Sequence, residues 1–189
     1  MQSHLLEELK HISLSMFRKD FIGIFHGSIS ARIEHNSFII NKKDAIFDDL
    51  KDTSFMQLYS KKDYRWNDAS MDADIHLSIY KNISEAKYVC YAMPPFLTAY
   101  SLVHDRIVPK DYFGAQYFND LKIYDPKSFD DWYERANVAI YRQMKEQKKQ
   151  VLIIKGYGVY LYDRDIYQIA KNIALLENSA KLLYYANNS

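Results

Sequence analysis

The sequence predicts an α/β protein of the α+β type, with a mostly antiparallel or mixed central β-sheet flanked by helices. Three observations carry that expectation. Strands and helices are mixed along the chain, but not in the strict βα alternation that builds a doubly wound parallel sheet. Two segments, residues 28–41 and 151–162, each read as strand, tight turn and returning strand, the pattern of antiparallel pairing. Ile166, Ile169, Ile173, Leu176, Ala180 and Leu183 then repeat with steps of three and four, so the chain closes on a helix with one continuous apolar stripe.

From the N-terminus, Leu5, Leu9, Ile12 and Met16 recur at helical spacing and predict an amphipathic helix over the first eighteen or so residues. "SISARIE" and "SFIIN" are strand-like, and "HN" between them is the expected turn. Residues 44–68 are polar and mixed, read as short strands and loops. "DADIHLSIYKN" (72–82) predicts a helix with an acidic first turn that favours its N-terminal dipole. "EAKYVCYAM" predicts a strand, after which Pro95 opens a helix carrying Phe96, Leu97, Tyr100 and Val103. Ser128, with Asp131 three residues later, resembles a helix N-cap for a helix running through Lys145. The "KEQKK" run at its end complements the C-terminal dipole and reads as a solvated helix end.

No linker, repeat or low-complexity stretch divides residues 1–189, so one domain is expected. Lys plus Arg (25) nearly cancel Asp plus Glu (24), which gives no global field directed at nucleic acid or membrane. No apolar run approaches the roughly 20 residues of a membrane span. One cysteine forms no intramolecular disulfide. Met1–Lys10 is polar and amphipathic, without the apolar core of a secretory signal. The expectation is a cytoplasmic protein. The unusual count is tyrosine, 17 in all, a residue suited to amphipathic positions at interfaces.

Four motifs carry a resemblance. "HGSISAR" (26–32) is similar to a Gly-Asn-x-Ser-x-Arg segment, with Gly27, Ser30 and Arg32 matching and Ser28 in place of Asn. "ASMDADIHLSIY" (69–80) is similar to a Pro-Ser-Ser-Glu segment and the helix behind it, whose histidine and tyrosine recur as His76 and Tyr80. "YVCYAMPP" (88–95) matches a strand that ends His-x-His-Pro-Pro, and "LIIKGYGVYLY…" (152 onward) matches a strand, a His-Gly turn, a second strand and a final helix. In this order they resemble the class II aldolase/adducin family, whose enzymes include L-fuculose-phosphate aldolase and L-ribulose-5-phosphate 4-epimerase. The resemblance implies a three-layer fold and a cyclic homotetramer with sites between subunits, a dimer being the second choice.

The resemblance also implies a divalent metal, usually zinc, held by three histidines. Those positions fall on Tyr91, Met93 and Tyr157. Neutral tyrosine is a poor ligand near pH 7 and a thioether suits softer metals than zinc, so no cofactor is expected. The proton-shuttling glutamate of the family falls on Asp72, one methylene shorter, which also reads as a helix N-cap. A vestigial phosphate site would comprise Ser28, Ser30 and Ser70, with Lys42 and Lys43 where a Ser/Thr-Gly turn is expected. The two lysines read more readily as an exposed basic turn than as anion ligands. Tyr91, Met93 and Tyr157 are expected to lie near one another, with the tyrosine hydroxyls reaching a polar partner or water. His26, His76 and His104 share no ligand spacing, and Cys90 faces away from Tyr91 as a small buried hydrophobe. Two functions are consistent with this pattern. One is a metal-free binding or scaffold subunit, for which adducin is the family precedent, with a small anionic or sugar-phosphate ligand. The other is a divergent lyase or epimerase acting on a small phosphorylated sugar, with zinc or another divalent metal. A subunit completing a site on another chain is a weaker third.

Overall fold

The computed structural model describes residues 2–187; Met1, within the first predicted helix, lies outside the described residues. The elements are α1 (Gln2–Phe17), β1 (Ser28–Glu34), β2 (Ser37–Asn41), β3 (Phe55–Tyr59), α2 (Ala73–Asn82), β4 (Tyr88–Ala92), α3 (Pro95–Val103), β5 (Arg106–Ile107), α4 (Tyr112–Tyr117), β6 (Leu121–Tyr124), α5 (Trp132–Gln147), β7 (Val151–Ile154), β8 (Gly158–Asp163) and α6 (Ile166–Asn187). The sheet runs β3-β2-β1-β4-β8-β7-β6-β5. Every pairing is antiparallel except β6 with β7, which are joined through α5 as a parallel crossover needs. The predicted mixed sheet is what the chain forms.

Strand alternation splits the core into two layers, one on each face of the sheet. Ile29, Ala31, Tyr88, Cys90, Val159 and Leu161 face a core completed by α1, α3 and α6. Val89, Tyr91, Tyr160, Phe38 and Ile40 face the other, completed by α2 and α5. The result is helix, sheet and helix in three layers. All six stripe residues of α6 are buried, and α1 buries Leu5, Leu9, Ile12 and Met16. Cys90 is fully buried opposite Tyr91, and burial pushes its thiol pKa up, so it stays a neutral packing group.

Three local expectations need correction. Asp131, not Ser128, stands at the N-cap of α5. Ser128 Oγ instead accepts from the Asp130 backbone N–H at 3.1 Å, a tighter turn that comes before the helix. Val103 is 77% exposed rather than on the apolar side of α3, because that helix ends there. The helix of residues 128–145 runs on to Gln147 and stops where Lys148 takes a left-handed φ of 53°. Residues 104–127, which show no periodicity, supply β5, α4 and β6.

The fold brings one set of chain ends together. The start of β1, the end of β2, the end of β4 and the start of β8 lie at the same end of the sheet, because these neighbours alternate in direction. Pro94 and Pro95 turn the chain from β4 into α3. The first turn of α3 is held by Glu177 of α6, whose two carboxyl oxygens accept from the Phe96 and Leu97 backbone N–H groups at 2.9 and 2.8 Å. That contact satisfies two otherwise orphaned helix donors.

Candidate functional site

A cleft of about 460 Å³ opens at this end of the sheet, on the α2/α5 face. Its polar side is formed by His26 and Gly27 before β1, Asn41 at the end of β2, Lys43 just after it, and Ser70 and Asp72 before α2. Its aromatic side is formed by Tyr91, Met93, Tyr133 and the Gly156-Tyr157 turn. Local structure accounts for these placements. Asn41 Oδ1 accepts from the Ile29 N–H at 2.8 Å, and the Asn41 carbonyl accepts from the Ser70 N–H at 3.0 Å, which ties β1, β2 and the approach to α2 together.

Tyr91, Met93 and Tyr157 border the same cleft. The Tyr91 hydroxyl donates to the Tyr157 carbonyl at 2.7 Å, and their ring centroids are 5.0 Å apart. Tyr157 is packed further by Phe129 at 5.8 Å, Trp132 at 5.5 Å and Tyr160 at 6.5 Å, and its hydroxyl shares a 2.9 Å bond with that of Tyr133. Burial, followed by the nearby Asp72 charge, pushes both the Tyr91 and Tyr157 phenols well above their ordinary pKa. Both are therefore neutral at any physiological pH. Two neutral phenols, one of them already donating to a carbonyl, and a thioether do not fit a zinc site, which needs high-affinity ligands around an open position. Among the described residues no group of three His, Cys, Asp or Glu side chains converges. His76 is buried beneath the cleft, His26 stands at its rim, and His104 packs on Tyr100 at a different groove.

Asp72 occupies the N-cap position of α2, yet its side chain makes no capping bond. It is buried, and Oδ2 accepts from Ser28 Oγ at 2.6 Å. Burial raises its pKa, opposed by the Ser28 donation and then by the Tyr160 hydroxyl. Tyr160 lies near enough to favour the carboxylate, but Asp72 Oδ1 and the Tyr160 hydroxyl complete no hydrogen bond with each other or with any other described residue.

The remaining sequence-predicted positions divide. Ser70 and Lys43 line the cleft, although Lys43 Nζ already donates to the Asn67 carbonyl at 2.8 Å and lies 3.7 Å from Asp68 Oδ1. Lys42 does not line it; its backbone bridges to Ala69 and Ser54. Ser28 and Ser30 are fully buried and spend their hydroxyls on interior partners, so neither forms part of the cleft wall. Tyr133, unread in the sequence, reaches the cleft from α5, and nothing but its position one residue after Trp132 on that helix marks it.

The family model described as "Class II Aldolase and Adducin N-terminal domain" matches residues 7–184. The chain belongs to this family. Among curated proteins, none matches it by sequence. Solved structures of the same class share its fold. The L-fuculose-1-phosphate aldolase from Thermus thermophilus superposes with a TM-score of 0.87 at 19% identity, covering 98% of this chain and 95% of that one. The sugar-phosphate aldolase from Thermotoga maritima gives 0.81 at 12% identity, over 99% and 96%. An aldolase II superfamily protein from Pseudomonas syringae gives 0.79 at 14%, over 97% and 74%. At such identities the likeness is one of fold. The three-layer class II aldolase architecture is therefore secure, while the chemistry has to be read from this chain's own residues.

Proposed function

We propose that this class II aldolase-family chain works by binding, as a metal-independent subunit that holds a small anionic, sugar-phosphate-like ligand in the cleft. The observation that carries this reading is the tyrosine closure. Tyr91 and Tyr157 bond to each other and fill the ground where the resemblance puts a metal. The polar side of the cleft still offers Asn41, Ser70 and the Lys43 ammonium for an anion, with the N-terminal end of α2 beside them. The buried carboxyl of Asp72 belongs to the same polar side.

A second reading, a divergent lyase or epimerase on a small phosphorylated sugar, is favoured by one specific feature. A carboxyl at the acid/base position still reaches the cleft, with its pKa raised by burial. Protein purified without chelator separates the two. Well below one equivalent of zinc, manganese or cobalt is expected, together with saturable binding of L-fuculose 1-phosphate and no aldol cleavage. Stoichiometric metal, lost on chelation together with cleavage, would promote the lyase.

The assembly proposed is a homotetramer, with a dimer as second choice, in the cytoplasm, without nucleic-acid or membrane partners. No helix among the described residues is long and apolar enough to cross a membrane. Sedimentation at micromolar concentration is expected to return a mass well above the 22.4 kDa chain. A monomer throughout that range would remove shared subunit surfaces as the reason the fold persists with an altered site.

A further inference from the structure

Behind Asp72 the interior holds an unusual run of polar groups. Ser28 Oγ lies 2.6 Å from Asp72 Oδ2 and 2.8 Å from His76 Nε2. Ser30 Oγ lies 2.6 Å from His76 Nδ1 and 2.7 Å from the Tyr80 hydroxyl. Ser28, Ser30 and His76 are fully buried, and Tyr80 nearly so. At its outer end the Arg32 guanidinium sits 5.5 Å from the Tyr80 ring centroid, and Arg32 Nη1 donates to the Tyr80 carbonyl at 3.2 Å. Buried polar groups on this scale are retained only when mutually satisfied.

The bonds have one consistent direction. With Asp72 as the carboxylate, Ser28 donates its single proton to Oδ2. Ser28 must then accept from His76, which places the imidazole proton on Nε2. Burial lowers the His76 pKa to about 3, so the ring is neutral and Nδ1 is bare. Ser30 must donate to Nδ1, and Tyr80 must donate to Ser30. Every O–H and N–H proton of this chain is used, and the chain ends at Asp72, whose Oδ1 lies beside the Tyr160 hydroxyl with both atoms sealed from solvent.

We propose that Tyr80, Ser30, His76 and Ser28 are positioning residues, a one-way hydrogen-bond chain that fixes the Asp72 carboxyl where that residue borders the cleft.

Nitrogen-15 NMR of the whole, ligand-free protein at pH 7 tests the chain. His76 is expected as the neutral tautomer with the proton on Nε2. A proton on Nδ1, or an imidazolium, would reverse or break the chain and overturn the proposal. A readout at Asp72 separates positioning from mere packing. Ser30→Ala, which does not touch Asp72, is expected to move the Asp72 13Cγ resonance, and Ser30→Thr to return it. Ser37→Ala, at a buried hydroxyl with no partner, is expected to leave it in place. An unmoved Asp72 in folded S30A overturns the coupling, and if S30A does not fold the wild-type tautomer still decides.

Discussion

Gly158→Ala is expected to destabilise the protein by roughly 4 kcal/mol, combining a strained backbone with an overpacked contact. Gly158 opens β8 at φ +134°, a conformation that side-chain-bearing residues rarely adopt. A Cβ there would collide with the Ala92 carbonyl oxygen and come within 3.0 Å of the Tyr91 ring. The carbonyl belongs to β4, a central strand paired on both sides, so it has no room to retreat. The same approach brings Tyr157, the preceding residue, against Tyr91. The substitution is therefore expected to loosen the floor of the cleft as well as the sheet. Gly156→Ala is the control. It too has positive φ, +68°, but its Cβ would meet only the end of the Leu102 side chain at 3.0 Å. Its expected cost is about 1 kcal/mol, the left-handed penalty alone. Urea unfolding of the two variants measures the difference. If G158A proves no less stable than G156A, the close passage of β4 past β8 is not what this glycine serves.

The contrast between these two glycines resembles the contrast between what the sequence discloses and what it conceals. Elements with a sustained period are legible: the α6 stripe marks its own buried face, and the alternation around Cys90 and Tyr91 separates the two cores correctly. Residues 104–127 are illegible because β5 has two residues and β6 four, too few to show any period. β6 pairs with the neighbouring β7, and β5 in turn with β6, so each is placed by the strand beside it rather than by its own pattern. In the site, the order of the motifs is enough to bring positions 91, 93 and 157 to one cleft. It is not enough to expose the chain behind Asp72, whose links join residues 44 to 50 apart. One signal for it is present. Ser28 and Ser30 alternate with the apolar Ile29 and Ala31, and His76 and Tyr80 are four apart on one helix face. A strand and a helix each carrying an inward polar stripe need one another to be buried at all. Motif order alone makes Ser28 and Ser30 phosphate ligands instead, because a hydroxyl's destination depends on packing that the sequence does not state.

Introducing histidine at positions 91, 93 and 157 together is expected to create a zinc site, with about one zinc per chain. Residue 91 lies in β4 and residue 93 just past its end, both bordering the cleft, while 157 lies on the facing turn. Before metal is added, the triple variant loses the Tyr91 hydroxyl bond to the Tyr157 carbonyl and the stacking of Tyr157 on Phe129 and of Tyr91 on Tyr160. The packing loss is expected to cost roughly 3 kcal/mol. Zinc at a thousand times its dissociation constant returns about 4 kcal/mol, because it binds the folded chain and not the unfolded one. The variant should therefore melt below the parent in chelator and recover, or pass it, in zinc, while the parent's melting temperature ignores both. The pair Tyr91→His and Met93→His alone supplies two ligands and is expected to bind zinc weakly, with little thermal response. A folded triple variant indifferent to zinc would mean that the three positions do not converge as ligands. The tyrosine closure would then be ordinary core packing rather than the refilling of a metal site, and the reason for reading this chain as a binder would be lost.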